Sequence, residues 1–185
     1  MFSVDGVTLR PLDASDLATI YAWETDIGLN MTGGWVRQQS RAAFTRLWER
    51  RIEEPKDDMD WFAIEHEGKL AGYIQLALID REERRAMVGI VVGEKALWGK
   101  GVGSTALRLL VDYAFTVRCL ERVYAEVYTF NTRSMRMFER VGFQREGTLR
   151  QHEYHNGVRQ DMHFYGILRA EFYARYETIF KLPDA

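Results

Sequence analysis

The chain has 185 residues, enough for one domain with a sizeable buried core. Its 46% hydrophobic and 28% charged residues, with five Trp, nine Tyr and ten Phe, belong to a globular rather than a disordered protein. A formal charge of −2 gives no pull on nucleic acid or an anionic membrane, and no apolar run nears the roughly 20 residues that span a bilayer. The opening MFSVDGVTLR lacks the basic head and apolar core of a signal peptide, and the single cysteine, Cys119, permits no intrachain disulfide. A reduced, cytoplasmic protein is expected.

Residues 7–10 alternate as a short strand that ends at Pro11, and Asp13 caps a helix with Leu17, Ile20, Tyr21 and Glu24 on one stripe. A loop containing Gly and Asn spans 28–35, its glycines permitting mobility beside the large ring of Trp35. Trp23, Trp35 and Trp48 read first as core aromatics. A second helix follows, with Phe44, Leu47, Trp48 and Ile52 at helical spacing. Strands over 61–65 and 70–79 are joined by the hairpin signal His66-Glu-Gly-Lys69. A charged turn at 80–85 leads to a third strand over 86–92.

After a glycine loop, Val102, Ala106, Leu109, Leu110, Tyr113, Ala114 and Val117 mark a long helix. Residues 122–128 form another strand. Asn131 opens a short helix that closes on Gly142 in a left-handed cap. Strands over 143–154 and 161–168 flank the turn His155-Asn-Gly-Val158. In the tail, Phe172, Tyr173, Tyr176, Ile179 and Phe180 fall on one helical stripe, which packs on its own domain or on a second copy in a homodimer. The prolines at 11, 55 and 183 are expected outside regular elements. Strands and helices mix, with strand–loop–helix–strand at the centre, so the fold class is α+β.

The loop Leu97-Trp-Gly-Lys-Gly-Val-Gly-Ser104 carries the first chemistry. Free amides and the dipole at a helix N-terminus favour an anion, and glycines bring those amides close to it. A phosphate or pyrophosphate is the natural ligand. The spacing is neither that of a Walker A loop nor that of G-x-G-x-x-G.

Trp98-Gly-Lys-Gly101-Val-Gly103, followed by Asn131, Ser134, Met137, Phe138, Gly142 and Phe143, resembles the two signatures of the GCN5-related N-acetyltransferase (GNAT) superfamily. Glu146-Gly-Thr-Leu-Arg150 with Glu153-Tyr-His-Asn-Gly157 is similar to the branch of ribosomal-protein N-terminal acetyltransferases and their relatives. The likeness implies a mostly antiparallel sheet, splayed at the acetyl-CoA site and flanked by helices. It also implies an acceptor-side part over 1–60, where the 28–35 loop would wall the acceptor cleft and Trp23, Trp35 and Trp48 are cleft residues if not core, an acetyl-CoA-binding core over 61–168 and a C-terminal helix over 169–185. Gly99, Lys100, Gly101, Val102, Gly103 and Ser104, with Trp98, would hold the pyrophosphate. Ile90, Val91 and Val92 would pair with the pantetheine arm like an added strand, with Asn131 and Phe138 also against the cofactor. Lys100 is read either as a phosphate contact or as a solvated side chain.

Acetyl transfer needs a neutral amine, a stabilised oxyanion and a proton for the thiolate. Amines near pKa 10 are protonated at neutral pH, so a carboxylate must take a proton, and strand amides can hold the oxyanion. Met87 and Phe138 stand where the superfamily often has glutamate and tyrosine. The branch resemblance instead makes Glu153 the base and Ser134 the acid, against readings as an exposed strand charge and a small packing residue. Cys119 is expected to be a buried structural thiol. His152 and His155, three apart on a strand, would face opposite sides, so no metal is expected. The resulting expectation is acetyl-CoA-dependent acetylation of a primary amine, first a protein N-terminal α-amine, second a polyamine or other small amine. The rival from another class is a non-catalytic acyl-CoA sensor.

Overall fold

The structure is a computed structural model that describes residues 1–33 and 38–181. Its strands are laid down by tight turns whose two central residues both have positive φ: Asp5–Gly6, Glu67–Gly68 and Asn156–Gly157. That geometry matches the right-handed twist of antiparallel strands. The turns join β1 (Phe2–Val4) to β2 (Val7–Pro11), β3 (Asp60–His66) to β4 (Lys69–Asp80), and β7 (Gln144–His155) to β8 (Val158–Leu168). With β5 (Arg85–Val92) and β6 (Arg122–Tyr128) they build one eight-stranded sheet, ordered β1-β2-β3-β4-β5-β6-β8-β7.

Every neighbouring pair is antiparallel except β5 and β6. Those two are parallel, so a crossover must connect them; helix α4 (Val102–Thr116) supplies it. Their pairing covers only Arg85–Met87 against Arg122–Tyr124. Beyond Met87 the two strands part, and the β6-facing edge of β5 is left without a strand partner.

Helices cover both faces. α4 lies on one face over Leu9, Ile64, Ile74 and Val123, with Leu107, Leu110 and Phe115 fully buried. On the other face, α1 (Leu17–Glu24) and α3 (Arg41–Glu53) pack Ile20, Phe44 and Trp48 onto Ala63 and Tyr73. Trp48 meets Trp61 and Tyr73 edge to face, with ring centroids 4.9 and 5.6 Å apart. Asp13 accepts from the Ser15 amide at 2.8 Å and so caps the turn leading into α1, as expected.

Several expectations are corrected. Within 28–35, Ile27–Gly33 is helix α2 rather than loop. Asp26 Oδ1 accepts the Leu29 amide at 2.9 Å, and buried Asn30 donates to the carbonyls of Glu24 and Asp26 at 3.0 and 2.8 Å. Those local bonds outweigh the loop propensity of Gly and Asn. Gly34 and Trp35 lie outside the described residues, as does Pro183. Pro11 is the last residue of β2, opposite Phe62, and not outside the strand. The edge strand β1 has no counterpart in the sequence reading.

Cys119 is exposed rather than buried: α4 ends at Thr116, Cys119 turns at φ +56, and Leu120 takes the core position. The tail helix α6 covers only Arg169–Tyr173. Beyond it, buried Asp112 accepts from the Tyr173 hydroxyl at 3.0 Å and the Ile179 amide at 2.8 Å, pinning an irregular segment. Phe172 packs on Phe115, and Phe180 on Phe2 and Tyr113. The aromatic stripe therefore finds its partners within its own chain. Among the described residues, no helix is long and apolar enough to cross a membrane.

Trp48→Ala is expected to lower stability by about 3–5 kcal/mol, because it empties the centre of the α1–α3 layer. The shift in urea midpoint measures it.

Candidate active site

A cavity of about 400 Å³ fills the wedge where β5 leaves β6. Its floor is the free edge of β5 at Ile90, Val91 and Val92. These residues pair with Ile74, Tyr73 and Gly72 on the β4 side only. In an antiparallel pair, alternate residues direct their N–H and C=O away from the partner. Those groups on β5 are open to a strand-like ligand or to a developing oxyanion.

One wall is built by the loop into α4 and by α5 (Thr132–Val141). Gly99 and Gly101 have φ +77 and +90, and Gly101 is the N-cap of α4 without a side-chain hydrogen bond. The first amides of α4 thus keep their donors free, as anion binding requires. Gly103 lets α4 approach α5: a Cβ there would lie 2.9 Å from Met137 Sδ. Trp98 Nε1 donates to the Val92 carbonyl at 2.8 Å, and the Arg133 guanidinium lies 3.4 Å from the Trp98 ring centroid. Burial makes Arg133 less basic than an ordinary arginine.

Arg136 and Arg140 join Arg133 in this wall. Positions i, i+3 and i+7 share one helix face, so three cations flank the free helix N-terminus. The sequence reading named none of them, although their spacing in the short helix carried the signal. Gly99, Gly101, Gly103, Ser104, Trp98, Asn131 and Ser134 all line the cavity. Val102 and Phe138 are buried beneath the wall, each 3% exposed, and Lys100 is exposed outside it.

The opposite wall comes from α1 and α2. Here Glu24 is half-buried against Trp23, Tyr73 and Val91, and the Tyr73 hydroxyl donates to its Oε1 at 3.2 Å. Burial holds the Glu24 carboxyl above the usual range; the Tyr73 hydrogen bond and the charge of Arg51 oppose that only in part. Glu24 was legible only as a member of an apolar stripe, and a carboxylate on such a stripe is the clue that was available.

Asn131 bridges the walls. Its Oδ1 accepts the Ser134 amide at 3.1 Å, capping α5, while its Nδ2 donates to the Thr32 carbonyl of α2 at 2.7 Å. Glu153 lies outside the cavity wall on β7, where its Oε2 accepts from the Tyr128 hydroxyl. Met87 is half-buried at the paired end of β5. His155 is buried with Nε2 3.2 Å from the Met31 carbonyl, whereas His152 is exposed beside Glu126.

A free strand edge, an anion-binding helix start, three arginines and a confined carboxylate suit an acyl-CoA and an amine. The family profile of the acetyltransferase (GNAT) domain matches residues 7–144. The chain belongs to this family. It is a GNAT N-acetyltransferase with acetyl-CoA as donor. Among its relatives, the spermidine N(1)-acetyltransferase of Escherichia coli K12 is 28% identical over 180 residues, covering 96% of this chain and 94% of that one. A putative ribosomal N-acetyltransferase of Bacillus subtilis is 36% identical over 107 residues, 58% of each chain. The solved Vibrio cholerae spermidine N-acetyltransferase in complex with CoA and spermine superposes with a TM-score of 0.83 at 25% identity, covering 92% of this chain and 99% of that one. The GNAT wedge thus accounts for the sheet splay expected from the motifs.

Gly101→Ala in this GNAT enzyme meets no atom within 4 Å, so its effect is conformational. A left-handed backbone costs an L-residue about 1–2 kcal/mol. The expected result is a loss of CoA affinity of about tenfold or more with the fold intact, measured by calorimetry.

Proposed function

We propose that this enzyme acetylates a primary amine of a small polycation, spermidine being the first candidate, with Glu24 as the carboxylate that receives the reacting amine. Glu24 carries the reading. It is the acidic side chain in the cavity wall among the described residues, it stands beside the open edge of β5, and burial has raised its proton affinity. The spermidine acetyltransferases that align over nearly the whole chain point the same way. They favour the polyamine, placed second on sequence, over the protein N-terminal α-amine placed first.

A free alkyl ammonium with a pKa near 10 and an ordinary glutamate near 4.3 are far apart for proton transfer. Desolvation raises a carboxyl and lowers an ammonium. Confinement beside Glu24 therefore narrows the gap from both ends, and the ion pair holds the amine while its proton passes to the carboxylate. The freed nitrogen attacks the thioester carbonyl, whose oxygen is received by unpaired β5 amides. The tetrahedral intermediate then expels the CoA thiolate. Ser134, in the wall at the start of α5, is the hydroxyl assigned to protonate that sulfur; a thiol pKa of roughly 8.5 makes this help modest. The role that the late motif gave to Glu153 passes to Glu24 in this scheme.

Mass-detected acetyl transfer to a panel of polyamines, N-terminal peptides, amino acids and aminoglycosides identifies the acceptor. Monoacetylated spermidine is the expected product, and transfer to peptides alone would overturn the polyamine reading. Glu24→Gln is expected to lower kcat by about 10²–10⁴-fold. Activity should rise with pH as Glu24 ionises, with the acid limb shifted above that of an ordinary glutamate, and the variant should lose that limb. Wild-type turnover in Glu24→Gln would return the base role to Glu153.

A further inference from the structure

We propose that Glu126, His152 and Glu153, which lie outside the acyl-CoA cavity wall, form a site for a divalent transition-metal ion, zinc being the best fit. One potential ligand atom from each residue lies within 4.8 Å of the others, and His152 Nε2 stands 3.5 Å from Glu126 Oε2. Around a tetrahedral zinc with bonds of about 2.0–2.2 Å, neighbouring ligand atoms are roughly 3.5 Å apart. The observed pair already has that spacing. Rotation of the exposed Glu153 side chain closes the rest.

The cluster is a product of strand geometry. β7 and β8 pair at Leu149–Met162 and again at Glu153–Gln160, so three residues of β7 (150, 151 and 152) stand against one of β8 (161). Gln151 absorbs the excess at φ +50, its amide held by Asp161 Oδ1 at 2.7 Å. In a regular strand His152 and Glu153 would point to opposite faces. A bulge re-aims side chains, and here both reach Glu126 on β6, two strands away. Alternation along β7 separates His152 from His155; the bulge is what sets His152 beside Glu153 and Glu126 instead.

Electrostatics supply a separate argument. Two carboxylates are gathered here, yet among the described residues neither is ion-paired with a lysine or arginine. Their neighbours are the His152 imidazole and the Tyr128 hydroxyl, which donates to Glu153 Oε2; burial first, and then that bond, makes this phenol less acidic. A neutral imidazole with two carboxylates is a borderline donor set that suits Zn²⁺, Ni²⁺ or Co²⁺ better than Mg²⁺ or Ca²⁺. The Tyr128 bond orients one carboxylate from outside the ligand set, as partners of metal ligands commonly do. Bound metal would tie β6 to the β7–β8 hairpin.

The test is calorimetric titration of the EDTA-treated full chain with Zn²⁺ alone, and with Mg²⁺ alone, alongside thermal melts. One Zn²⁺ per chain, a raised melting temperature and much weaker Mg²⁺ binding are expected. His152→Ala and Glu126→Gln should each weaken Zn²⁺ binding at least tenfold, with unchanged circular dichroism and CoA binding. His66→Ala should bind Zn²⁺ as wild type does. Absence of Zn²⁺ binding, equal binding of Mg²⁺, or undiminished binding in folded His152→Ala would overturn the proposal.

Discussion

Three residue pairs join β5 to β6, and the enzyme depends on there being no more. The reason they part lies on the other flank of β5. A Cβ at Gly72 would lie 2.1 Å from the Val91 carbonyl oxygen, and one at Gly89 would lie 2.8 Å from Gln75 Nε2. Such close approach fastens β5 to β4 along Gly72–Val92, Tyr73–Val91 and Ile74–Ile90. On the β6 side no such fastening continues past Met87, and the crossover through α4 begins there. Backbone groups left open there are costly unless water or a ligand satisfies them.

Charge is divided across this wedge. Arg133, Arg136 and Arg140 stand on the α5 wall near the free amides of α4, and Glu24 stands on the α1–α2 wall. The polyanionic end of CoA and the proposed cationic acceptor would thereby be drawn to different sides of one cavity. Attraction to each is strengthened by partial burial. Asn131 connects the halves through one side chain, capping α5 with its oxygen and holding the Thr32 carbonyl with its nitrogen. Trp23 adds a steric link: a Cβ at Gly93 would fall 2.0 Å from its ring, so α1 rests directly on the turn that leaves β5.

What was legible in the chain follows from how local its causes are. Hairpins at Glu67–Gly68 and Asn156–Gly157, the cap at Asp13 and the long amphipathic helix are fixed by residues within one turn of each other, and they read correctly. So did the helix opened by Asn131 and closed by the left-handed Gly142, because a cap and left-handed backbone demand particular residues. α2 did not, since its Gly and Asn content favours a loop until Asp26 and Asn30 are seen bonding the helix ends. Cys119 and the tail depended on where α4 and α6 stop, which tertiary contacts decide. Glu24 and the three arginines gain meaning only when strands distant in sequence bring them to one cavity. The β7 bulge is the plainest case, as an uninterrupted two-residue period cannot announce its own interruption.

An ordinary sheet has two edges, at its outermost strands. This one has a third, inside the sheet, along Ile90–Val92. Outer edges are templates for unwanted pairing with other chains. The inner edge is shielded by α1, α2 and α5, so it admits a slender extended molecule but not another protein strand. Under the proposed scheme the pantetheine arm of the donor would take that slot as a ninth, non-peptide strand. A donor bound there would complete the sheet as well as the reaction, and by mass action it would stabilise the fold.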